Sequence, residues 1–257
     1  MPLTKSNRSS LTHEDTIEAL AALLTQYYTL QLLLPSHSTA QISQPPHTAP
    51  SAVLSQWQNA GMSDLVIETM KQLPFLSGEG SREVAPDTRA LDYLDAESEA
   101  LDVWKDPFCL SEETKEKVER YLGNAIPLTS CIGRDGWLLL LDLDTNNIYE
   151  IRDKDLQEAP TQPPPKGAPK HYYKHFPHKP ALSVLKDWIE KTKKLDWVPD
   201  PETGIWLQKH EDDLEETGRY DALKQLYFDC GWPERFDQEA FLARYTLLSR
   251  SRGWDDD

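Results

Sequence analysis

The stretch CIGRDGWLLLLDLDTNNIYEI, residues 131–151, decides the fold of this chain. Two apolar runs are separated by Gly133-Arg134-Asp135-Gly136, and Asn146-Asn147 supplies residues that accept the positive φ angles of a tight hairpin turn. The pattern predicts three antiparallel strands over about 126–132, 137–143 and 147–152. Within it WLLLLDLD is apolar on both faces as far as Asp142, so this strand is expected at the centre of its sheet, covered on both sides.

Working outward toward the C-terminus, EAPTQPPPKGAPK (158–170) reads as an extended, Pro-rich connection. ALSVLKDWIEKTKK (181–194) then places Leu182, Leu185, Trp188 and Ile189 on one side of a helix. A turn and a brief strand are expected in VPDPETGIWLQKH (198–210), before two closing helices, 210–229 and 234–250. Gly231 should terminate the first of these and Pro233 start the second, and the WDDD tail should fray.

Toward the N-terminus, SEETKEKVERYLGN (111–124) restores a helical pattern with Ser111 as cap. RALDYLD (89–95) is a short strand candidate, and FLSGEGSREVAPDT (75–88) is turn-like. The stretch 51–73 is helical but broken near Gly61, with Ser63 or Asp64 able to cap its second half. Thr12 and Asp15 resemble a capping pair ahead of Ile17, Leu20, Leu24, Tyr27 and Tyr28, which recur at helical spacing. PSHSTAQISQPPHTAP (35–50) has no periodicity and reads as a flexible linker, leaving the first helix as an appendage. The expected fold class is therefore α+β: an antiparallel β-meander sheet packed with helices, with helical N- and C-terminal extensions. Its expected parts are 1–50 (helix and linker), 51–209 (the α+β domain) and 210–257 (a helical hairpin with an acidic tail).

The chain has 257 residues, and its 27 Lys and Arg against 43 Asp and Glu give a formal charge of −16. Such a field repels nucleic acid and anionic membrane and attracts basic partners. Cys109, Cys131 and Cys230 are odd in number and form no CxxC pair, which fits a reducing compartment. No apolar signal core and no run of 18 apolar residues is present, so a cytoplasmic or nuclear protein without a membrane span is expected.

Motifs that carry chemistry are few. Asp142, Asp144, Asn146 and Asp153 imitate part of a calcium loop, but Asn147 stands where that loop needs glycine and strands flank it, so a polar hairpin end is the reading preferred. His171, His175 and His178 are closely spaced, yet Pro177 interrupts any helix that would present them together, and a solvated aromatic loop is expected there. From Lys166 to Lys194, eight lysines stand against Asp187 and Glu190. Interleaved with aromatics they could follow a phosphate backbone, although arginine is absent and pairing with nearby carboxylates is the preferred reading. No GxSxG, Walker or dinucleotide fingerprint occurs. PTQP (160–163) meets the PxxP pattern inside a Pro-rich loop. Trp57, Trp104 and Trp232 are anchors for a partner only where exposed.

The order of pieces resembles the SUKH superfamily. The likeness is carried by a helix ending in Leu73-Pro74, the meander WLLLLDLDTNNIYEI and the helix LSVLKDWIEKTKK, over about residues 64–195. The ending LYFDCGWPERFDQEAFLARY is similar to the YxxxGWPxxFxxxxF ending of fungal proteins with such a domain. FLSGEGSREVAPDT stands where that superfamily usually has a further helix. The superfamily includes bacterial immunity proteins against toxins and fungal cell-wall-assembly regulators. The resemblance implies an α+β protein-binding or regulatory domain with no catalytic residues; no cofactor is expected, and the charge of −16 points to a basic protein partner rather than nucleic acid or membrane. The polar face expected to meet that partner is the hairpin tip, Arg134 and Asp135. Two other functions stay open: a hydrolase with an unrecognised carboxylate site, and a nucleic-acid adaptor working through residues 166–194.

Overall fold

A computed structural model describes residues 12–78, 82–97, 99–107, 122–152, 172–202, 204, 206–208 and 218–254. Residues 111–121 of the helix expected at 111–124, the Pro-rich stretch 158–170 with its PTQP motif, and the last three residues lie outside that set.

The fold is α+β, with antiparallel sheets and, among the described residues, seven helices. Its centre is the meander. β7 (Trp137–Asp142) lies between β5 (Ala125–Pro127) and β8 (Asn147–Arg152), and β9 (His178–Pro180) extends the sheet beyond β8. Leu138, Leu140 and Leu141 are wholly buried, as the double-sided apolar pattern predicts. The β7–β8 turn places Asn146 at φ 54°, which Asn accepts because its short polar side chain tolerates the left-handed region.

The strand expected over 126–132 is two strands. β5 pairs with β7, but β6 (Thr129–Cys131) joins β3 (Glu83–Ala85) and β4 (Thr88–Ala90) in a separate three-stranded sheet, in the order β3-β4-β6. Two residues explain the split. Pro127 brings no N–H to a ladder. The Thr129 hydroxyl takes over the ladder's role instead, donating to Trp137 O at 2.8 Å and accepting the Leu139 N–H at 2.9 Å, so the backbone is released toward β4.

Residues 75–88 differ likewise from the turn-like expectation, since β2 (Phe75–Gly78) and β3 both fall there. The reason also corrects the expected linker at 35–50. β1 (Ala40–Ser43) pairs with β2 in register Ile42↔Leu76, and a short 3-10 turn (Pro35–His37) buries His37 at its end. Long-range pairing of this kind leaves little trace in local composition. Helix α1 (His13–Gln31) starts at the expected capping box of Thr12 and Asp15. It is no appendage, because Leu20, Leu24, Tyr27 and Tyr28 enter the same buried cluster as the meander. Next come α2 (Ser51–Asn59), α3 (Asp64–Met70), capped by Ser63, and α4 (Ala100–Lys105).

Helix α5 (Ala181–Lys194) buries Val184, Leu185, Trp188 and Ile189, each contributing roughly 1.5–3 kcal/mol of apolar transfer. Trp188 is the pivot. Its Nε1–H donates to Glu150 on β8 at 3.0 Å, and its ring meets Tyr27 of α1 and Trp197 edge-on.

The C-terminal part follows β10 (Trp197–Pro199) and β11 (Trp206–Gln208) and consists of α6 (Arg219–Asp229) and α7 (Gln238–Arg252). Gly231, at φ 90°, follows the end of α6 as expected. Helix α7 begins later than Pro233, at Gln238, because the Asp237 side chain accepts the Ala240 N–H and caps it there. This hairpin is clamped to the body around residues 192–200. Tyr220 donates to Leu195 O at 2.9 Å, Tyr227 to Pro199 O at 3.0 Å and Trp232 to Thr192 O at 3.3 Å. The tail departs from fraying at its first residue, since Trp254 is buried with the Arg219 guanidinium 5.2 Å from its ring centroid.

Candidate functional site

The polar face named by the sequence is a loop with a foundation. Strands β3 and β4 are joined by Pro86-Asp87, with Ala85 paired to Thr88. Asp87 sits at φ 51°, a region most side chains avoid and aspartate tolerates. From there it reaches the β6–β7 loop by two routes. Its backbone oxygen accepts the Ile132 N–H at 2.8 Å, and its Oδ2 accepts the Asp135 N–H at 3.1 Å. The approach is close enough that a Cβ on Gly133 would overlap the Asp87 carboxyl, and one on Gly136 would overlap the Asp87 backbone oxygen. Thr88 ties the far end of the loop, accepting the Trp137 N–H at 2.9 Å.

On this seat Arg134 and Asp135 are brought together. Arg134 donates from Nε and Nη2 to Asp135 Oδ2 at 3.2 and 3.0 Å, with 81% of the Arg134 side chain and 30% of the Asp135 side chain exposed. Ile132 beside them is 40% exposed. Along the same sheet, Arg89 and Ser130 are cross-strand partners, and both donate to Glu99 Oε1, at 3.2 and 3.0 Å. Glu99 leads into α4, where Asp102 is exposed, and Asp95 and Glu97 are exposed in the turn ahead of it. Ile132 and Arg134 are thus an exposed aliphatic side chain and an exposed guanidinium on one anchored loop.

Beneath the turn, Glu83 Oε1 accepts the Asp87 N–H at 3.0 Å. Burial pushes the Glu83 carboxyl up to about 7, and the Asp87 charge adds to this, while the Asp87 N–H and Arg89 oppose it. His37 lies against the Glu83 main chain, and burial depresses its imidazole to about 4. Asp92 is also raised, chiefly by burial, with the Leu94 N–H and Arg82 opposing.

The other sequence candidates are placed differently. Asp142 is fully buried and spent on structure: Oδ1 accepts the Asp144 and Thr145 N–H groups, while Oδ2 faces the Tyr173 hydroxyl at 3.3 Å and Lys174 Nζ at 3.5 Å. Asp153 and His171 lie outside the described residues, and His178 is exposed with its ring against Tyr149. Among the described residues, no three His, Cys, Asp or Glu side chains are grouped to hold a metal ion. Within the lysine-rich stretch, Lys174 pairs with Asp142, Lys179 with Glu150, Lys191 with Asp187 and Lys193 with Glu190. Trp57, Trp104 and Trp232 are buried, so none is a surface anchor. Among the described residues, no helix is long and apolar enough to cross a membrane.

Sequence reasoning missed Glu83 and Asp87. The Ala-Pro-Asp-Thr run at 85–88 signals a turn, but nothing local says that this turn would seat a loop 48 residues further on.

No family model matches this chain, and neither a curated protein nor a solved structure does.

Proposed function

We propose that the chain is a non-catalytic protein-interaction or regulatory domain of SUKH type, and that the loop carrying Arg134 and Asp135 is its partner-binding face. One arrangement carries the reading: a loop anchored from below by Asp87 that holds an exposed Arg134 paired with Asp135. A loop fixed in this way loses little conformational entropy when a partner docks. Arginine is among the residues that most often dominate binding energy, and Ile132 supplies an adjacent apolar contact. The carboxylates of Asp95, Glu97, Asp102 and Asp135, with the overall charge of −16, favour a basic partner and accelerate its encounter.

Affinity capture from lysate tests this, with wild type beside an Arg134→Ala, Asp135→Ala variant, and with direct titration of any protein recovered. The expected result is one defined basic protein whose affinity for the purified chain falls about tenfold or more in the variant. Equal binding by the two forms rules out this face.

A further inference from the structure

A continuous chain of contacts runs from the interior to the loop. Glu83 Oε1 accepts from Asp87 N, Asp87 Oδ2 accepts from Asp135 N, and Asp135 Oδ2 accepts from Arg134. Each carboxylate in the chain orders the next residue by its backbone N–H or side chain. Glu83 is the innermost carboxylate of that chain and reaches the loop through Asp87.

Among the described residues, several elements bring groups to Glu83. Asp87 faces it from the turn and Arg89 is its cross-strand partner on β4, already engaged with Glu99. His37 approaches its main chain from the 3-10 turn. Helix α1 contributes Tyr27 and Gln31, which donate to the neighbouring Val84 oxygen at 2.5 and 3.2 Å. Arg134 and Asp135 lie beyond Asp87 on the loop. When Glu83 is ionised, two carboxylates of like charge share a partly desolvated turn, with one guanidinium divided between Glu83 and Glu99. Protonation removes that repulsion and relieves the desolvated charge. At the same time it weakens Oε1 as an acceptor of the Asp87 N–H, so the bond that starts the chain responds to the charge on Glu83.

We propose that the protonation state of Glu83 sets how firmly the 133–136 loop is seated, so that presentation of Arg134 and Asp135 to a partner is regulated by pH. This regulation rests on the reading of that loop as the partner-binding face. Burial places the Glu83 transition near neutrality, at about 7. His37, held down to about 4, stays neutral through that range and does not obscure the transition.

The test is an amide titration of the full, ¹⁵N-labelled chain between about pH 5.5 and about pH 8.5, following the Asp87 and Asp135 N–H resonances. Both are expected to move together in the wild type, with a shared midpoint near 7. They should lose that inflection in Glu83→Gln and keep it in His37→Gln. Flat wild-type resonances overturn the proposal, as does an inflection that survives Glu83→Gln or vanishes in His37→Gln. A flat wild-type titration is decisive even where a variant fails to fold. Glu83→Asp, which keeps the carboxyl but shortens its reach, stands in for Glu83→Gln in that case, with the inflection expected to shift its midpoint. No partner enters this assay, so its failure leaves the interaction reading standing, and failure of the capture experiment leaves the titration standing.

Discussion

Asp87 and Asp135, 48 residues apart, are joined by a hydrogen bond of 3.1 Å from the Asp135 N–H to the Asp87 carboxylate. That bond converts two loops into one platform and gives Asp87 a reason to occupy its positive φ. Asp87→Asn should be close to neutral, because Asn tolerates that backbone region and keeps an acceptor oxygen. Asp87→Ala should cost roughly 1–3 kcal/mol, losing the acceptor and straining the turn. Urea unfolding of the two variants checks this, and equal stability would contradict the role given to the side chain.

The two loop glycines should differ from one another. A Cβ on Gly133 meets the Asp87 side chain, which can rotate aside, whereas one on Gly136 meets the Asp87 backbone oxygen and the Cys131 backbone, which cannot. Gly136→Ala is expected to lose about 1–3 kcal/mol, as overpacking usually does, and Gly133→Ala less. Thermal unfolding gives the order, and the reverse order would mean that the turn, not the loop, yields.

The C-terminal hairpin depends on a buried ion pair. Asp200 is wholly buried, and its Oδ2 accepts from Arg219 Nε and Nη2 at 3.0 and 2.6 Å, while Oδ1 accepts from the Tyr245 hydroxyl at 3.2 Å. Arg219→Met leaves a buried carboxylate without its cation and should destabilise by about 3–5 kcal/mol. An added Asp200→Ala change should recover part of that loss, since the stranded charge goes with it. Additive losses in the double variant, read by urea unfolding, would show that the two residues act separately.

The lysine-rich stretch should not bind nucleic acid tightly, because Lys174, Lys179, Lys191 and Lys193 already pair with carboxylates. Anisotropy of a labelled single-stranded oligonucleotide at low salt should stay unchanged on adding protein. A salt-sensitive rise, removed by neutralising Lys186 and Lys194, would restore the adaptor reading.

What was legible in the sequence is what short-range pattern encodes. The β7–β8 hairpin, the Thr12–Asp15 cap, the break at Gly61 with its Ser63 cap and the apolar stripe of α5 all lie within a turn or two of their causes. The β1–β2 pairing was not legible, because Ala40–Ser43 becomes a strand only through Phe75–Gly78, across an intervening pair of helices. The split at Leu128 escaped for a similar reason, since it depends on a Thr129 hydroxyl standing in for backbone partners on β7. At the candidate site the exposed pair, Arg134 and Asp135, was visible as a polar break between strands. Glu83 and Asp87 were not, because their importance comes from burial and from contact with a distant loop.

Glu83, half-buried, and His37, buried, predict an unusual pH profile of stability. Glu83 is raised from 4.5 to about 7, so the folded state holds a proton there that the unfolded chain has released. Its contribution is present below 4.5 and is lost as pH rises through 7. His37 is lowered from 6.5 to about 4, so the unfolded chain holds the proton instead, and its contribution is present above 6.5 and lost as pH falls through 4. Between about 4.5 and 6.5 the two slopes oppose each other, and folding in effect moves a proton from imidazole to carboxyl. Each single variant should therefore unmask the other group. Glu83→Gln should steepen the loss of stability toward acid, and His37→Gln should steepen the loss toward neutral pH. Urea midpoints measured at several pH values across this window decide the point. Parallel profiles for wild type and both variants would mean that neither group carries the linkage assigned to it.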